Sequence, residues 1–333
     1  MIRPRRLISV GSILVDLRVE APHLPVRGGD VVVSAATPSP GGGFNVLAAA
    51  ARQGMPTLFA GRHGNGSHGA SIRAALAQEG IAALLPATEH GDSGFCLVLV
   101  EPDGERSFIT SPGVESQLGT RQLQDVPVQA GDAVFVSGYD LSYAKLGPAI
   151  AAWLGALPCE ILLVIDPGPL VAEIPCPVLD ATLAHAGVFT LNHREARLLA
   201  GTDSLHDAVP LLRGRLSNDA LLVLRDGARG CILAGAGMPE PFVPVPTPLA
   251  RAIDTTGAGD THTGVLVASL GAGYGPAAAA QRANAAAALS VTRPGSATAP
   301  DRQELDAFLT ATATQERPRE EEPADTHHHA RRQ

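Results

Sequence analysis

The segment Asp254-Thr-Thr-Gly-Ala-Gly-Asp260 precedes a stretch, residues 261–270, whose composition predicts a helix. Its small residues, Gly257, Ala258 and Gly259, allow the backbone to turn tightly before that helix. Backbone N–H groups at a helix N-terminus favour an anion, so the segment predicts a phosphate-binding turn. The carboxylate that ends the segment can take a proton from a hydroxyl while the turn holds the charge of a phosphoryl group in transfer.

An ordinary glycine-rich turn is the alternative interpretation of this segment. In that case the glycines would only permit the turn, and Asp260 would cap the helix that follows. The residue types and their spacing leave both interpretations open.

Apolar runs of strand length recur along the chain, with turn residues at their ends. They cover residues 7–10, 57–60, 133–136, 161–165, 188–191 and 221–224. Segments of helical length and composition lie between several of them, at residues 46–53, 70–78, 143–154 and 195–200. This alternation predicts an α/β fold with a mostly parallel central sheet that helices cover on both faces.

Two regions break the alternation and predict a second, small sheet. Residues 31–36, 95–100 and 106–109 form short apolar stretches without intervening helices, and the turn Pro102-Asp103-Gly104 joins the last two. We expect them to pair as antiparallel strands of a β lid, built from residues near 12–36 and 93–112.

A change of composition predicts where the domain ends. From about residue 314 the chain loses its apolar residues and finishes in ERPREEEPADTHHHARRQ. A charged segment with so few apolar residues cannot bury enough surface to fold. We therefore expect one domain over residues 1–312 and a disordered tail over residues 313–333.

Composition and charge exclude several classes of protein. The chain has 333 residues, of which 45% are hydrophobic and 17% charged, as is typical of a soluble globular protein. Its net charge of −8 argues against a nucleic-acid partner, because neutralising phosphates requires an excess of basic residues. The longest uncharged stretch, residues 261–281, is too polar and too rich in glycine to span a membrane.

The cysteines and the amino terminus indicate a cellular compartment. The four cysteines, Cys96, Cys159, Cys176 and Cys231, lie far apart without a C-x-x-C pair, so we expect buried thiols rather than a zinc site or disulfides. The basic amino terminus runs directly into a strand-like segment, with no longer apolar stretch before a cleavage site. These features predict a cytoplasmic protein.

Several segments together resemble the signatures of one enzyme family. Asp254-Thr-Thr-Gly-Ala-Gly-Asp260 resembles the carboxy-terminal signature of the ribokinase-like (PfkB) carbohydrate kinases, and Pro40-Gly-Gly-Gly-Phe-Asn45 resembles their amino-terminal signature. Further matches lie at residues 11–16, 191–196, 225–230 and 282–295. The resemblance spans residues 7 to about 310 and implies a ribokinase-like three-layer α/β sandwich with a small β lid.

The resemblance implies a catalytic base and a sugar site. It makes Asp260 the base and makes Gly257, Ala258 and Gly259 the anion hole, and it implies sugar contacts at Asp16, Gly42, Gly43 and Asn45. Carboxylates and amides suit this task, since a carboxylate accepts hydrogen bonds from hydroxyls and an amide both donates and accepts. Taken alone, Asn45 also fits a helix cap, because it directly precedes a helical segment.

The resemblance also implies a site for ATP and magnesium. Asn192 and Glu195 resemble the pair that organises Mg²⁺ and the nucleotide phosphates, usually through water, although Glu195 also fits a first-turn acid favoured by the helix dipole. We expect Arg225 to contact an ATP phosphate, with a surface ion pair as the alternative. The walls of the adenine pocket would include Gly227, Gly230 and Asn284.

Several members of the family bind a monovalent cation beside the anion hole. The resemblance therefore implies a potassium site as one possibility for this chain. The residues that match a potassium site are Asp254, Thr256, Ser290, Arg293 and Gly295. However, Ala299 stands where ribokinase supplies a serine, so potassium dependence is left open.

The predicted reaction moves the γ-phosphoryl group of ATP to a hydroxyl of an unphosphorylated pentose or hexose. The alternatives are a nucleoside kinase, for which Phe44, Phe95 or Phe108 would stack on the base, and a kinase for 2-keto-3-deoxy sugar acids. A sugar phosphate would need a cluster of cations, to which Arg27, Arg52 and Arg106 could contribute, and a sugar acid would need a carboxylate-binding arginine, for which Arg106 is the candidate. A sugar-binding sensor without catalysis is the alternative from another class. Many relatives pair their lids, so a homodimer is also implied.

Two single features allow a competing chemistry. Gly64-Asn-Gly66-Ser-His-Gly69 fits the dinucleotide-binding pattern G-x-G-x-x-G between a strand-like and a helical segment, and Glu89 follows about twenty residues later. The family resemblance makes the same stretch a glycine-rich loop near the sugar. His262 is an alternative base to Asp260, although a histidine on a helix face is commoner.

Overall fold

Short apolar strands separated by helices build the chain from β1 to α11. The computed structural model describes residues 2–33, 36–103, 105–235, 237–239 and 241–315. Its strands are β1 (Arg6–Val10), β2 (Val15–Glu20), β3 (Ala36–Pro40), β4 (Thr57–Phe59), β5 (Ala82–Ala83), β6 (Phe95–Val100), β7 (Arg106–Ser111), β8 (Asp132–Ser137), β9 (Leu162–Asp166), β10 (Val188–Asn192), β11 (Leu221–Arg225), β12 (Cys231–Gly235) and β13 (Val243–Val245). Its α-helices are α1 (Gly43–Arg52), α2 (Ser67–Gln78), α3 (Thr120–Gln124), α4 (Gly138–Ser142), α5 (Leu146–Leu154), α6 (Cys176–Leu183), α7 (His193–Ala200), α8 (Leu205–Arg213), α9 (Ala258–Ala272), α10 (Pro276–Ser290) and α11 (Arg302–Gln315). Single 3₁₀ turns cover Val114–Gln117 and Gly227–Arg229.

The main sheet is mostly parallel, as the sequence predicts. Within the described residues it has nine strands in the order β13-β12-β11-β10-β9-β8-β1-β4-β5. Neighbours from β11 to β5 run parallel, whereas β12 and β13 at one edge are antiparallel. Each apolar run predicted as a strand is a strand with ends within one residue, and the predicted helices are present with ends shifted by at most three residues.

Helices cover both faces of this sheet because side chains alternate between the two faces along each strand. Leu7 of β1 belongs to one core, which also contains residues of α1, α2, α9, α10 and α11. The next residue, Ile8, belongs to the core on the other face, with residues of α3 to α8. The result is the three-layer sandwich that was predicted, and both signature helices, α1 and α9, lie in the same layer.

In the described part of the chain, the lid is a sheet of four strands in the order β3-β2-β6-β7. The predicted hairpin of β6 and β7 is confirmed, but the strand predicted at 31–36 is wrong. Residues 31–33 have no regular secondary structure, residues 34 and 35 lie outside the described residues, and the strand that pairs with β2 is the more polar β3. Strand pairing, and not the apolar composition of a segment, determines which segment becomes the strand here. β3 can contain proline because it is an edge strand.

The predicted pairing of the lid strands also needs a correction. No strand was predicted from the sequence at residues 15–20. These residues form β2, which lies in the interior of the lid sheet and runs parallel to β6. The lid is therefore a mixed sheet rather than an antiparallel one. The homodimer expected through the lids stays a prediction.

The cysteines and the end of the chain differ in part from the sequence prediction. Cys96 and Cys231 are buried as expected, whereas Cys159 and Cys176 are exposed, and all four are free thiols. Cys159 follows Pro158 in a loop and Cys176 begins α6 after Pro175, so neither lies in an apolar run. Helix α11 continues to Gln315, past the predicted start of the tail at residue 313, and residues 316–333 lie outside the described residues.

The helices were compared with membrane spans by their length and hydropathy. In the part of the chain that the structure describes, no helix is both long and apolar enough to cross a bilayer. The cytoplasmic location stays a prediction.

The close contact between α1 and α9 yields a test of the packing. A Cβ added at Gly264 of α9 would lie 2.4 Å from the carbonyl oxygen of Val46 and 2.8 Å from Cβ of Ala49. We predict that Gly264→Ala destabilises the protein by about 1–3 kcal/mol, because the clash outweighs the better helix propensity of alanine. Thermal unfolding measures this as a lower midpoint.

Gly214→Ala is the matched control for this substitution. Gly214 has a right-handed helical backbone at the end of α8, and a Cβ added there would have its nearest atoms at 3.5 Å, an ordinary contact, so we expect little change in its unfolding midpoint. Equal midpoints for the two variants would contradict the packing argument.

Candidate active site

The phosphate turn predicted from the sequence forms the start of α9. Gly257 is the N-cap and has a left-handed backbone with φ 72°. A Cβ at this position would also lie 2.0 Å from the carbonyl oxygen of Ser296, so both conformation and space require glycine. The first N–H groups of a helix have no intrahelical partners. Those of Gly259 and Asp260 belong to this set, and the Ala258 N–H donates a long hydrogen bond of 3.3 Å to the Thr255 carbonyl. The turn therefore has the backbone needed to bind an anion.

Asp260 does not cap the helix, which disfavours the ordinary-turn interpretation. It is the third residue of α9, and its carboxylate accepts a hydrogen bond of 2.9 Å from Nδ2 of Asn45. Asn45 is likewise not a cap, because α1 begins at Gly43 and its N-cap is Gly42. Burial raises the pKa of Asp260 to about 6, although the hydrogen bond from Asn45 opposes this shift.

A cavity of about 360 Å³ lies between the lid and the carboxyl ends of the parallel strands, and we call it the lid-side cavity. The predicted sugar residues Asp16, Gly42 and Asn45 line it together with Asp260. Gly43 does not line it, because this glycine packs on Ser9 and on the carbonyl of Ser12, and a Cβ there would lie 2.6 Å from the Ser9 hydroxyl oxygen. The lid contributes Arg106, Phe108 and Thr110.

The lid-side cavity contains acidic and aromatic groups that sequence reasoning missed. They are Asp140, Asp166, Tyr139 and Tyr143. Asp140 is buried and accepts a hydrogen bond of 2.6 Å from the Ser12 hydroxyl. Burial raises the pKa of Asp140 to about 7, and burial together with the charge of Asp260 raises the pKa of Asp16 to about 7.

A second cavity of about 380 Å³ lies on the other side of the phosphate turn, and we call it the helix-side cavity. Gly227, Gly230 and Asn284, which were predicted in an adenine pocket, all line it. The Asn284 amide donates hydrogen bonds of 2.9 and 3.2 Å to the carbonyls of Val245 and Pro246, so it fixes the wall of the cavity. The two cavities share four lining residues: Asn192, Arg225, Thr255 and Gly259.

His262 lines the helix-side cavity and does not face the Asp260 carboxylate across the lid-side cavity. Its ring is 3% exposed, and neither ring nitrogen has a hydrogen-bond partner among the described residues. Burial and the charge of Arg225 lower its pKa to about 3. These properties suit a wall of the cavity and do not suit a base at neutral pH.

Asn192 and Glu195 form a capping box at the start of α7. The Asn192 side chain accepts a hydrogen bond from the Glu195 N–H at 2.9 Å, and the Glu195 carboxylate accepts from the Asn192 N–H at 2.8 Å. Burial and the nearby charge of Asp166 raise the pKa of Glu195, against the opposing effect of Arg225. Glu195 is therefore more than a first-turn acid, since it belongs to a buried charge cluster.

Arg225 is the cation of this cluster. Its Nη1 donates to Asp166 at 2.8 Å and to the Gly259 carbonyl at 3.0 Å, and its Nη2 lies 3.7 Å from Glu195. Its side chain is 11% exposed, so the alternative of a surface ion pair does not hold, and the ion pair is a largely buried one. The predicted contact with an ATP phosphate stays a prediction, and the guanidinium lies where the two cavities meet.

The residues predicted for potassium lie on two adjoining loops, and their geometry tests whether they fit a cation. The Asp254 carboxylate accepts from the N–H groups of Thr256 at 2.9 Å and Gly295 at 3.1 Å. The guanidinium groups of Arg18 and Arg106 also lie 3.5 Å from its two oxygens. The Ser290 carbonyl accepts a hydrogen bond from the Thr298 hydroxyl at 3.0 Å, and the Arg293 side chain pairs with Glu304. The oxygens of Asp254 and the Ser290 carbonyl thus already have partners within the protein, and the potassium site stays a prediction.

The dinucleotide pattern at residues 64–69 has its N–H groups occupied by the protein. The Asp92 carboxylate accepts from the N–H groups of His68 at 3.0 Å and Gly69 at 2.8 Å, at the start of α2. A Cβ at Gly66 would lie 2.3 Å from the same carboxylate. The turn therefore binds an internal carboxylate where a pyrophosphate would have to lie.

Comparison with known proteins identifies the class of enzyme. A sequence model of the pfkB family carbohydrate kinases matches residues 4–303. The chain therefore belongs to the pfkB family of carbohydrate kinases, which confirms the family resemblance and the predicted enzyme class of ATP-dependent sugar kinases.

Individual relatives agree with this family. The uncharacterized sugar kinase YegV of Escherichia coli (strain K12) is 33% identical over 313 residues, which cover 90% of this chain and 92% of the relative. The structure of Arabidopsis thaliana ribokinase with ribose and ATP superposes with a TM-score of 0.73 at 23% identity, covering 92% of this chain and 99% of that one. Aminoimidazole riboside kinase of Salmonella enterica, solved with its riboside and an ATP analogue, gives a TM-score of 0.75 at 22% identity over 91% and 100% of the two chains. These structures confirm the ribokinase-like fold.

The raised pKa of Asp16 predicts that its ionisation destabilises the folded protein, and that a neutral residue at this position removes the cost. At a pH above 7 the folded protein holds Asp16 charged in a site that favours the neutral form, whereas the unfolded chain ionises it near its ordinary value of 3.8. We predict that Asp16→Asn raises the thermal midpoint at pH 8 by at least about 2 °C. The advantage shrinks as the pH falls through 7 towards 4, because the folded wild type then takes up the stabilising proton.

Asp30→Asn is the control for this prediction. Asp30 is an exposed acid in the segment between β2 and β3, so its substitution should leave the midpoint unchanged across the same pH range. A lower midpoint for Asp16→Asn at pH 8 would show that burial does not disfavour the charge of Asp16.

Proposed function

We propose that the protein transfers the γ-phosphoryl group of ATP to a hydroxyl of an unphosphorylated pentose or hexose, with Asp260 as the base. The observation that carries this proposal is the meeting of the two cavities at the phosphate turn, where Asn192, Arg225, Thr255 and Gly259 line both. A sugar in the lid-side cavity and a nucleotide in the helix-side cavity would then have their reacting groups at Asp260.

The proposed reaction uses the groups at this junction in a defined order. Asp260 accepts the proton of the sugar hydroxyl, and the hydroxyl oxygen bonds to the γ-phosphorus while the bond from that phosphorus to the bridging oxygen of ADP breaks. The N–H groups of Gly257, Ala258 and Gly259 offset the charge that spreads over the phosphoryl oxygens. Sugar phosphate, carrying the transferred group, and ADP are the products.

Magnesium fits the acidic cluster beside the turn. The charge of the buried Asp166 carboxylate disfavours the charge of the buried Glu195 carboxylate, and a divalent cation nearby would relieve this repulsion. We propose that Glu195 and Asn192 hold Mg²⁺ through water, since this ion keeps several waters and prefers oxygen ligands. When bound with the nucleotide, the ion neutralises charge on the phosphates.

The charge of the lid-side cavity supports a neutral acceptor. Asp16, Asp140 and Asp260 line it, and hydroxyl groups can donate to these carboxylates, whereas a sugar phosphate or sugar acid would be repelled. Of the cations considered for such an anion, Arg52 pairs with Glu79 and Arg106 with the Asp254 loop. Arg27 is exposed and does not line the cavity.

A nucleoside acceptor is less well supported by the aromatic residues. Phe44 is buried in the core and Phe95 packs edge-on against His68, which leaves Phe108 of the three aromatic candidates at the lid-side cavity. Tyr139 also lines this cavity. A screen of acceptors that includes nucleosides tests this alternative.

The decisive experiment measures ADP release with a panel of neutral sugars, sugar acids and nucleosides. We predict turnover with a neutral pentose or hexose, and we predict that Asp260→Asn loses at least about 10³-fold in kcat while it still binds the sugar. Calorimetry of sugar binding separates lost chemistry from lost folding. Wild-type turnover in Asp260→Asn would exclude Asp260 as the base, and sugar binding without any ADP release would favour the sensor.

The pKa of Asp260 predicts the pH dependence of this reaction. The base must be ionised, so kcat/KM should fall on the acid side of about pH 6. Removing the Asn45 amide in Asn45→Ala removes a hydrogen bond that lowers this pKa, so the acid limb should move to higher pH. A pH profile of kcat/KM measures the shift.

Gln53→Ala is the control for the pH profile. This residue at the other end of α1 donates a buried amide hydrogen bond to the Pro300 carbonyl and does not touch Asp260. We expect its acid limb to coincide with that of the wild type. An unmoved limb in Asn45→Ala would mean that another group sets the pH dependence.

A further inference from the structure

Two arginines on the lid point towards the loop that leads into the phosphate turn. Arg18 lies on β2 and Arg106 on β7, so they come from separate strands of the lid. Side chains alternate along a strand, which places Arg106 on the same face as Phe108 and Thr110, and all three line the lid-side cavity. The lid therefore brings positive charge to the edge of the proposed sugar site.

The guanidinium of Arg106 is held by the loop and is not free to bind an anion in the cavity. Its Nη1 donates to the Thr256 hydroxyl at 2.7 Å and lies 3.5 Å from Oδ1 of Asp254, while its Nη2 donates to the Thr255 hydroxyl. On the other side of the same carboxylate, Nε of Arg18 lies 3.5 Å from Oδ2. Both oxygens of Asp254 thus face a guanidinium from the lid.

These contacts compensate the charge of Asp254 beside the turn. Arg18 also pairs with Glu20 at 3.0 Å, so the two guanidinium groups and the two carboxylates leave no net negative charge a few residues before the N-cap Gly257. Compensation of a carboxylate next to N–H groups that face an anion favours anion binding, and it does so most where water is excluded. This compensation depends on the position of the lid, because both arginines lie on lid strands.

We propose that Arg106 is a positioning residue that couples closure of the lid to the charge of the phosphate turn, with Arg18 as its partner. This inference rests on the proposed kinase function. With the lid closed over a sugar, the two arginines neutralise Asp254 and the turn can hold the phosphoryl group. With the lid open, Asp254 stays uncompensated and opposes negative charge at the turn, so transfer to water is disfavoured until a sugar is enclosed.

The same contacts predict how the protein responds to potassium. Each Asp254 oxygen already accepts an N–H group and faces a guanidinium, so the lid supplies the charge that a monovalent cation would otherwise provide. We therefore expect the wild type to work equally well with potassium or with a bulky organic cation. Removal of Arg106 should create a response to potassium, because Asp254 then loses part of its compensation.

The kinetic test uses two substitutions of Arg106 and one control. Arg106→Ala should lower kcat/KM for the sugar by roughly 10²-fold, and Arg106→Lys, which keeps the charge, should lose less. Arg106→Ala should lower ATP hydrolysis without sugar by a smaller factor than it lowers sugar phosphorylation, since without sugar the lid is closed in only part of the molecules. Arg27→Ala removes an exposed arginine of the segment between β2 and β3, and it should match the wild type.

Three results would overturn the inference. They are wild-type sugar turnover in Arg106→Ala, an equal loss of sugar phosphorylation and of sugar-free ATP hydrolysis, and a wild type that needs potassium for activity. The first two would show that Arg106 is passive or acts independently of closure. The third would show that the lid does not supply the charge at Asp254.

A structural measurement separates this inference from the proposed function. Hydrogen–deuterium exchange of the protein without ligand should show faster exchange at β7 and at residues 254–259 in Arg106→Ala than in the wild type or in Arg27→Ala. Unchanged exchange in Arg106→Ala contradicts the lid contact, whatever the enzyme acts on. Absence of ADP release with every acceptor contradicts the proposed function and leaves the exchange result to be judged by itself.

Discussion

The hydrogen bond from Asn45 to Asp260 depends on one constraint, the close packing of α1 against α9. The two residues are 215 positions apart, yet both lie in the first turn of a helix in the same layer. The contact is close because Gly264 leaves room for the carbonyl of Val46. A side chain at that position would push the start of α9 away from α1. The position of the Asp260 carboxylate at the phosphate turn thus depends on how Gly264, one turn further along α9, packs against α1.

Much of this arrangement could be predicted, because the ends of parallel strands carry its polar groups. Asn192 and Arg225 end β10 and β11 and lie opposite each other in register, and they were found through their motifs. Asp166 ends β9 in the same way but belongs to no recognised motif, so it was missed. The signal was present, since a lone acid closes an apolar run, and ligands of α/β sheets bind at the carboxyl ends of strands.

Other parts could not be predicted from local sequence. Residues 31–33 are as apolar as a strand, yet the lid pairs with the polar, proline-containing β3, because pairing depends on which segment can reach β2. The contact of Asp140 with Ser12 joins residues 128 positions apart through a fold that no pattern specifies. The signatures identified the chemistry, whereas the long-range contacts required coordinates.

The acidic groups of the lid-side cavity lower the stability of the folded protein. Burial raises the pKa values of Asp16, Asp140 and Asp260 to between about 6 and 7, so each is held in a site that disfavours its charge at neutral pH. A purely structural cavity would replace such groups with apolar ones, since buried unpaired charge destabilises a protein. Their presence together is typical of sites that bind or transform a ligand. Asp140 and Asp260 accept hydrogen bonds from Ser12 and Asn45. Hydroxyl donors from a sugar would satisfy the acceptor sites that remain on these carboxylates and on Asp16.

The lid arginines differ physically from a bound ion that would offset the same carboxylate. An ion fixed between the two loops contributes its charge whether or not a sugar is present, whereas Arg18 and Arg106 contribute only where β2 and β7 lie over the turn. The same two strands carry groups of the lid-side cavity, Asp16 on β2 and Phe108 on β7. Any force that seats the sugar against them also seats the guanidinium groups against Asp254. In this protein the recognition of the acceptor and the charge of the phosphate turn are therefore linked through the lid strands.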